Sequence, residues 1–378
     1  MTPARSAAGI LFRMEEGAMR KIGQIGSVVA LFLAVVVGAG TPVFAAGATA
    51  ALRSRVGSLV LGKPLSFQGL TIIPITTLSR WTPMPVVTLD EALKKGWLRI
   101  REIDDGEVPL LVLDNKSDRT VFVMGGEIVT GGKQDRLVGG DALIRPHARG
   151  VRIPVYCVEA GRWTETSAQF STKQNLGTWS LRSSAQASAP AAQESIWGEV
   201  EKMQDRAGAR SATGAYQDIY EDRKLDARLQ ALEAGLKNVP SLAAGTVGAI
   251  CAVGGRVLSM DVFADASVFQ RLWPKILRAS ALSAVTAAAE EPAGRTSRDN
   301  AWSFLERVSD LRFSEEKGVD LGVEVRGAGG GITASALVHD GAVLHLSAFP
   351  LPRESPDRQQ APGFAPGLEE DDMPQGRE

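Results

Sequence analysis

TVFVMGGEIVTGGKQDRLVGGDALIRPHARGVRIPVYCVEAGRW, residues 120–163, is the stretch whose reading decides the fold. Thr120–Met124 and Glu127–Thr130 are apolar, β-branched runs flanking Gly125-Gly126, and glycine supplies the positive φ that a two-residue hairpin turn needs. A second glycine pair, Gly131-Gly132, ends the return strand. Residues 151–158 (VRIPVYCV) form another strand pattern, in which Pro154 points to an edge or a bulge. Strands this short, punctuated this often, predict antiparallel hairpins.

Between those strands lies a charged segment: Lys133-Gln134-Asp135-Arg136, then Arg145, His147 and Arg149. One reading is a solvated connection whose ions pair weakly. The other is an anion-binding rim, because guanidinium forks match phosphate and carboxylate oxygens and loops held by a sheet commonly carry sites. The stretch ends in Glu159, Arg162 and Trp163. Either Arg162 pairs with Glu159 while Trp163 covers the core's edge, or Arg162 holds an anion while Trp163 stacks on a planar ring. Under the second reading Lys133, Gln134, Arg136, His147, Arg162 and Trp163 bind the ligand, and Glu127, Asp135 and Glu159 are the acid/base candidates. A phosphate-cradling P-loop is excluded: Gly126 lies one position too far upstream, and Gln134 stands where the magnesium-binding hydroxyl belongs.

Working outward, the same hairpin logic recurs at Thr246–Val253 and Arg256–Phe263 around Gly254-Gly255, and at Ala334–Val338 and Ala342–Ala348 around His339-Asp340-Gly341. Upstream, residues 65–78 (LSFQGLTIIPITTL) read as strand. Leu98–Ile103 and Val108–Leu113 follow as strands around Asp104-Asp105-Gly106. Thr88 with Glu91 three residues on has the form of a capping box for a short helix stopped at Gly96. Helical stripes occur at Ile196, Val200, Met203 and at Leu225, Leu229, Leu232, Leu236. Asp265 caps a further helix containing Pro274, and Asn300–Leu311 forms another. The class predicted is α+β, a single large domain of antiparallel β-hairpins with helices packed mainly from the second half.

The 378 residues carry 42 basic against 43 acidic side chains, a sequence pI near 6.4, which argues against a nucleic-acid partner. From Met19 the chain reads as a signal peptide: Arg20 and Lys21, an apolar core at Val28–Val37, Pro42, then cleavage patterns at Val43–Ala45 and Ala48–Ala50. The apolar run is shorter than the ~20 residues a spanning helix needs, so cleaved export to the periplasm or exterior is expected, with no membrane span remaining. Residues 1–46 are assigned to this segment, with translation starting at Met14 or Met19 as alternatives. Residues 47–64 lead into a domain at 65–350, which includes a polar loop at 164–192. The tail at 351–378, rich in Pro and acids, is predicted to be disordered. Cys157 and Cys251 form a disulfide in an oxidising compartment, or stay as two buried thiols in separate strands. With those two Cys and three His (147, 339, 345), neither a metal nor a cofactor is expected.

Three separated blocks occur in order: GGEIVTGGKQDR, PVYCVEAGRW and Gln193–Val200, QESIWGEV. Together they resemble a family defined by its neighbours, the domain associated with ADP-ribosylglycohydrolases and rhodanese-like phosphatases. The resemblance runs from Leu70 past Cys251. It implies at most a link to ADP-ribose or another nucleotide metabolite, and no particular reaction. The chain has no G-x-S-x-G elbow and no H-E-x-x-H helix. Two functions remain: an exported domain that binds or processes an anionic small molecule, and a non-enzymatic module touching an envelope protein partner.

Overall fold

A computed structural model describes residues 47–351 apart from 80–84, 104–108, 168, 188–190, 288–293 and 295. The segment read as a signal peptide, the Asp104–Gly106 turn and the tail from residue 352 lie outside the described residues. No helix among the described residues is long and apolar enough to cross a membrane.

The largest sheet runs, edge to edge, through Leu59–Leu61, Leu70–Thr77, Thr246–Val253, Arg256–Phe263, Ala342–Pro350, Ile332–His339, Val323–Gly329 and Phe313–Lys317, with Leu65–Phe67 folded back on Leu70–Thr77. Every pairing in it is antiparallel. The expected hairpins at Gly254-Gly255 and Asp340-Gly341 are both present, and all four turn residues take positive φ. Successive side chains of a strand face opposite ways, and here both faces are covered. Ile73, Ile75, Val247, Ile250 and Met260 pack against helices α1 (Ala48–Gly57) and, later in the chain, Arg298–Asp310. Leu70, Ile72, Ala249 and Cys251 pack against the helices Arg223–Leu236 and Ala266–Val285. That two-sided cover is why Thr246–Val253 is buried at every position.

The remaining helices, in chain order, are α2 (Leu89–Lys94), α3 (Trp179–Ala187) and α4 (Ala192–Ala207), so that the four just named become α1, α5 (Arg223–Leu236), α6 (Ala266–Val285) and α7 (Arg298–Asp310). Thr88 and Glu91 form the capping box of α2, and Asp265 accepts the Ser267 and Val268 N–H groups at the start of α6. The Leu225–Leu236 stripe of α5 is buried against α6, where the Trp273 indole donates to the Leu236 carbonyl at 3.3 Å. The structure is thus one α+β domain. Residues 47–64 supply α1 and the strand Leu59–Leu61, which pairs with Leu70–Thr77.

Two smaller sheets hold the stretch 120–158. One orders Val319–Asp320, Ala142–Ile144, Thr120–Val123 and Val86–Thr88, with parallel pairings at both ends. The other orders Leu98–Glu102, Leu110–Asn115, Val151–Cys157, Arg136–Val138 and Ile128–Val129, all antiparallel. The predicted hairpin around Gly125-Gly126 is therefore corrected. Its two arms lie in different sheets: Phe122 and Val129, which a hairpin would pair with each other, pair instead with Leu143 and Arg136. Met124 donates to Glu127 Oε2 (2.8 Å), Gly125 to Asp141 Oδ1 (2.8 Å) and Gly126 to the Val138 carbonyl (2.8 Å). A Cβ on Gly125 would sit 3.1 Å from the Gly140 backbone, so two glycine pairs lie back to back where the chain crosses between sheets. Pro154 marks another change of partner: residues 151–154 pair with Leu110–Leu113, and 155–157 with Arg136–Val138.

Two further expectations change. The polar span 164–192 is not a loop throughout: Ser171 and Leu176 form isolated bridges, and α3 buries Ser180, Leu181, Arg182, Ser183 and Ser184. Cys157 and Cys251 are free, buried thiols in strands of different sheets, so no disulfide joins them.

Candidate functional site

The charged hairpin tip predicted as an anion rim folds inward. Gln134, Asp135 and Arg136 are all buried. The Arg136 guanidinium donates to Gln134 Oε1 (3.1 Å) and Cys157 Sγ (3.1 Å) and pairs with Glu102 at 3.4 Å. Arg162 donates to Glu159 from Nε (2.8 Å) and Nη2 (2.6 Å), to Asp135 (3.3 Å), and to the carbonyls of Gly132 (2.8 Å) and Thr164 (2.9 Å). A guanidinium has five N–H donors, and this one is committed to its own loop. Burial and the neighbouring Glu159 carboxylate push Asp135 up to about 6. Burial acts on Glu159 too, but hydrogen bonds from Arg162, Thr213 and the Asp135 N–H outweigh it and hold its pKa below the ordinary value. Trp163 is 52% exposed, with the Lys133 ammonium 5.5 Å from its ring centroid. His147 stands apart in an exposed turn at φ +57°, its backbone N–H bonded to the Ser117 carbonyl. The structure thus joins Lys133, Gln134, Asp135, Arg136, Glu159, Arg162 and Trp163 in one neighbourhood, and leaves out His147 and Glu127.

Glu127 belongs to a different cluster. Its Oε1 accepts from Lys275 at 2.5 Å, and the same ammonium lies 2.5 Å from Asp90 Oδ2. Burial pushes Glu127 up and works to lower Lys275, but with two carboxylates so close the pairing prevails at the lysine, whose pKa is raised. Lys275 forms part of the wall of a cleft of about 560 Å³ between α2, α5, α6 and the segment Lys173–Asn175. The cleft presents five cationic side chains, Lys94, Lys173, Arg271, Lys275 and Arg278, and three acids, Asp90, Glu91 and Glu233. Most are paired: Arg271 with Glu91 at 2.8 Å, Arg278 with Glu233 and Asp226 at 2.7 Å, and Lys173 with Glu221 at 3.1 Å. Its volume falls in the range of small-molecule sites.

A third cluster is sealed in the core. His345 Nδ1 lies 2.7 Å from Asp141 and Nε2 3.2 Å from Asp261, while Arg182 grips Asp261 with both terminal nitrogens (2.6 and 3.1 Å). Burial alone would lower His345, but the Asp141 and Asp261 carboxylates lift it to about 9. Burial alone would raise Asp261, but Arg182 and His345 hold it well below the usual carboxylate range. The remaining Asp141 oxygen takes the Gly125 N–H. The network thereby ties the large sheet, α3 and the glycine crossing together. The adjoining void, about 10 Å³, is too small to admit more than a single water.

A family model described as the ARG and Rhodanese-Phosphatase-superfamily-associated Protein domain, ARPP-1, matches residues 58–349. The chain belongs to this family. Neither the curated proteins nor the solved structures contain a match to it. The ARPP-1 match spans all three charged clusters, the cleft and the sealed network included. Sequence reasoning missed Asp90, Lys275, Arg271 and Arg278 of the ARPP-1 cleft, and Arg182, Asp261 and His345 of its network. A signal was present: Lys275 interrupts LWPKIL, Asp261 interrupts LSMDVF and His345 interrupts VLHLSAF, and a lone ionisable group in an apolar run must find a buried partner.

Proposed function

We propose that this protein is an exported domain that binds an anionic small molecule in the cleft between α2, α5 and α6. The observation that supports this reading is the set of donors left over there. An ammonium has three N–H bonds and Lys275 uses two on carboxylates. Among the described residues, Arg271 engages Val86, Glu91 and Ser267 through Nη1 and Nε with no partner at Nη2, and Lys94 forms no ion pair. Arg162, by contrast, has no donor to spare, so the anion site moves from the hairpin tip to this cleft. A nucleotide or ADP-ribose-like metabolite falls within the proposed class. Export rests on the signal pattern; processing at Val43–Ala45 would leave α1 whole, whereas processing at Ala48–Ala50 would cut into it. The exposed Trp163 beside Lys133 favours a second reading, a module whose hairpin tip touches an envelope protein.

Isothermal titration of the purified protein with inorganic phosphate, ribose 5-phosphate and AMP tests the first reading. Saturable binding that falls at least tenfold in a Lys94→Ala/Lys173→Ala variant is the expected result. Both lysines are exposed, so that variant should keep its stability within about 0.5 kcal/mol of the parent. Binding that survives the double substitution, or is lost instead on Trp163→Ala, would move the site away from the cleft.

A further inference from the structure

The acids of the cleft say what else the ligand must carry. Among the described residues, each lining carboxylate has one oxygen engaged and one left over. Asp90 gives Oδ2 to Lys275, while its Oδ1 is buried with no hydrogen-bond partner. Glu91 gives Oε2 to Arg271 and the Thr88 N–H, and Glu233 gives Oε1 to Arg278, so Oε1 of the former and Oε2 of the latter remain open. A bare anion gains nothing from these oxygens and is repelled by them. A hydroxyl satisfies them, because it donates to a carboxylate and at the same time accepts from a neighbouring ammonium or guanidinium. The Gln174 side-chain amide, which both donates and accepts, extends the same surface. Among the described residues the wall offers nothing that suits a flat apolar ring: no aromatic side chain lines the cleft, and Pro274 is the one lining residue without a polar side chain.

We propose that the ligand is a polyhydroxylated anion of the phosphorylated-sugar class, read through its hydroxyls and its phosphate and not through a nucleobase. This rests on the cleft reading above and narrows it. The phosphate falls to Lys94 and Arg271, where unspent donors lie, and the hydroxyls to Glu91 and Glu233.

The test is calorimetric titration of the full protein, at one ionic strength, with inorganic phosphate, glucose 6-phosphate, ribose 5-phosphate and AMP. At least one sugar phosphate should bind tenfold or more tightly than inorganic phosphate, and AMP should bind no more tightly than ribose 5-phosphate. Glu233→Gln, checked for an unchanged thermal unfolding curve, should erase most of the sugar's advantage while leaving inorganic phosphate binding equal or stronger. If Glu233→Gln proves unfolded, Gln174→Ala reads the same advantage from the other wall. Phosphate binding as tightly as both sugar phosphates would overturn the inference and leave a plain anion site. AMP exceeding ribose 5-phosphate tenfold would overturn it in favour of a base-reading site. Absence of binding by all four probes would remove the cleft reading itself.

Discussion

The sealed network around His345 and the open cleft around Lys275 are built from the same parts: two or three acids, a cluster of cations, and distances of 2.5–3.2 Å. They differ in what is left over. In the network all four carboxylate oxygens of Asp141 and Asp261 and both nitrogens of His345 are occupied, and no side chain exceeds 6% exposure. In the cleft each acid keeps an oxygen with no partner among the described residues, and the Arg271–Glu91 and Arg278–Glu233 pairs are 23–37% exposed. Carboxylates whose every oxygen is engaged under burial make a joint between structural elements, even though the Arg182 Nε beside them is left without a partner among the described residues. Incomplete pairing beside an open volume makes a surface that can still recognise something.

Breaking the joint should have the largest effect. Arg182→Met leaves Asp261 buried beside a histidine that must serve two carboxylates alone. Loss of one partner of a buried pair costs about 3–5 kcal/mol, to be read from urea denaturation midpoints. A loss below 1 kcal/mol would show that the network contributes little and that the contrast with the cleft is one of exposure alone.

The pH dependence of the same joint should be next in size. His345 is lifted from 6.5 to about 9 by its carboxylates, so the unfolded chain releases this proton first as the pH rises. Its contribution is therefore complete below pH 6.5 and disappears as the pH passes through about 9, with a total on the order of 3 kcal/mol. Denaturation series at pH 6, 7.5 and 9 should show this decline, and His345→Gln should flatten it from an already lower starting stability.

Asp135 offers a smaller effect of opposite origin. Its carboxyl, raised from 3.8 to about 6, stays protonated in the fold after the unfolded chain has ionised. Stability should thus fall as the pH rises from 4 to 6, by about 2 kcal/mol, and stay lower above that. Asp135→Asn keeps an acceptor for the Gly131 N–H and should abolish the fall. An unchanged slope would place the titrating group elsewhere.

Much of the frame could be read locally. The capping box at Thr88, the Asp265 cap, the leucine stripe of α5 and the hairpins at Gly254-Gly255 and Asp340-Gly341 depend on residues a few positions apart, where sequence and geometry share one scale. The corner at Gly125-Gly126 looks the same locally but is decided by distant groups: Leu143 and Arg136 pair with Phe122 and Val129, which a hairpin would have paired with each other. The site followed the same division. A run of neighbouring charges marks Lys133–Arg136, yet the partners of those side chains, Glu102, Cys157, Glu159, Arg162 and Trp163, already lie within the fold. The cleft is assembled from α2, α5, α6 and residues 173–175, none of which is unusual alone. Arg182 was hidden in a span too polar to suggest a buried helix.

The place of Leu70–Thr77 in the large sheet has a consequence for how the chain assembles. Its main partner, Thr246–Val253, lies about 170 residues later, so this apolar strand must wait for most of the chain before its ladder can close. Pairings over such separations slow folding and leave one edge of this strand open meanwhile, the other being covered by Leu59–Leu61 and Leu65–Phe67. Pro74, in the middle of LTIIPITT, has no N–H to give to a ladder, which makes the open edge a poorer template for another copy of the chain.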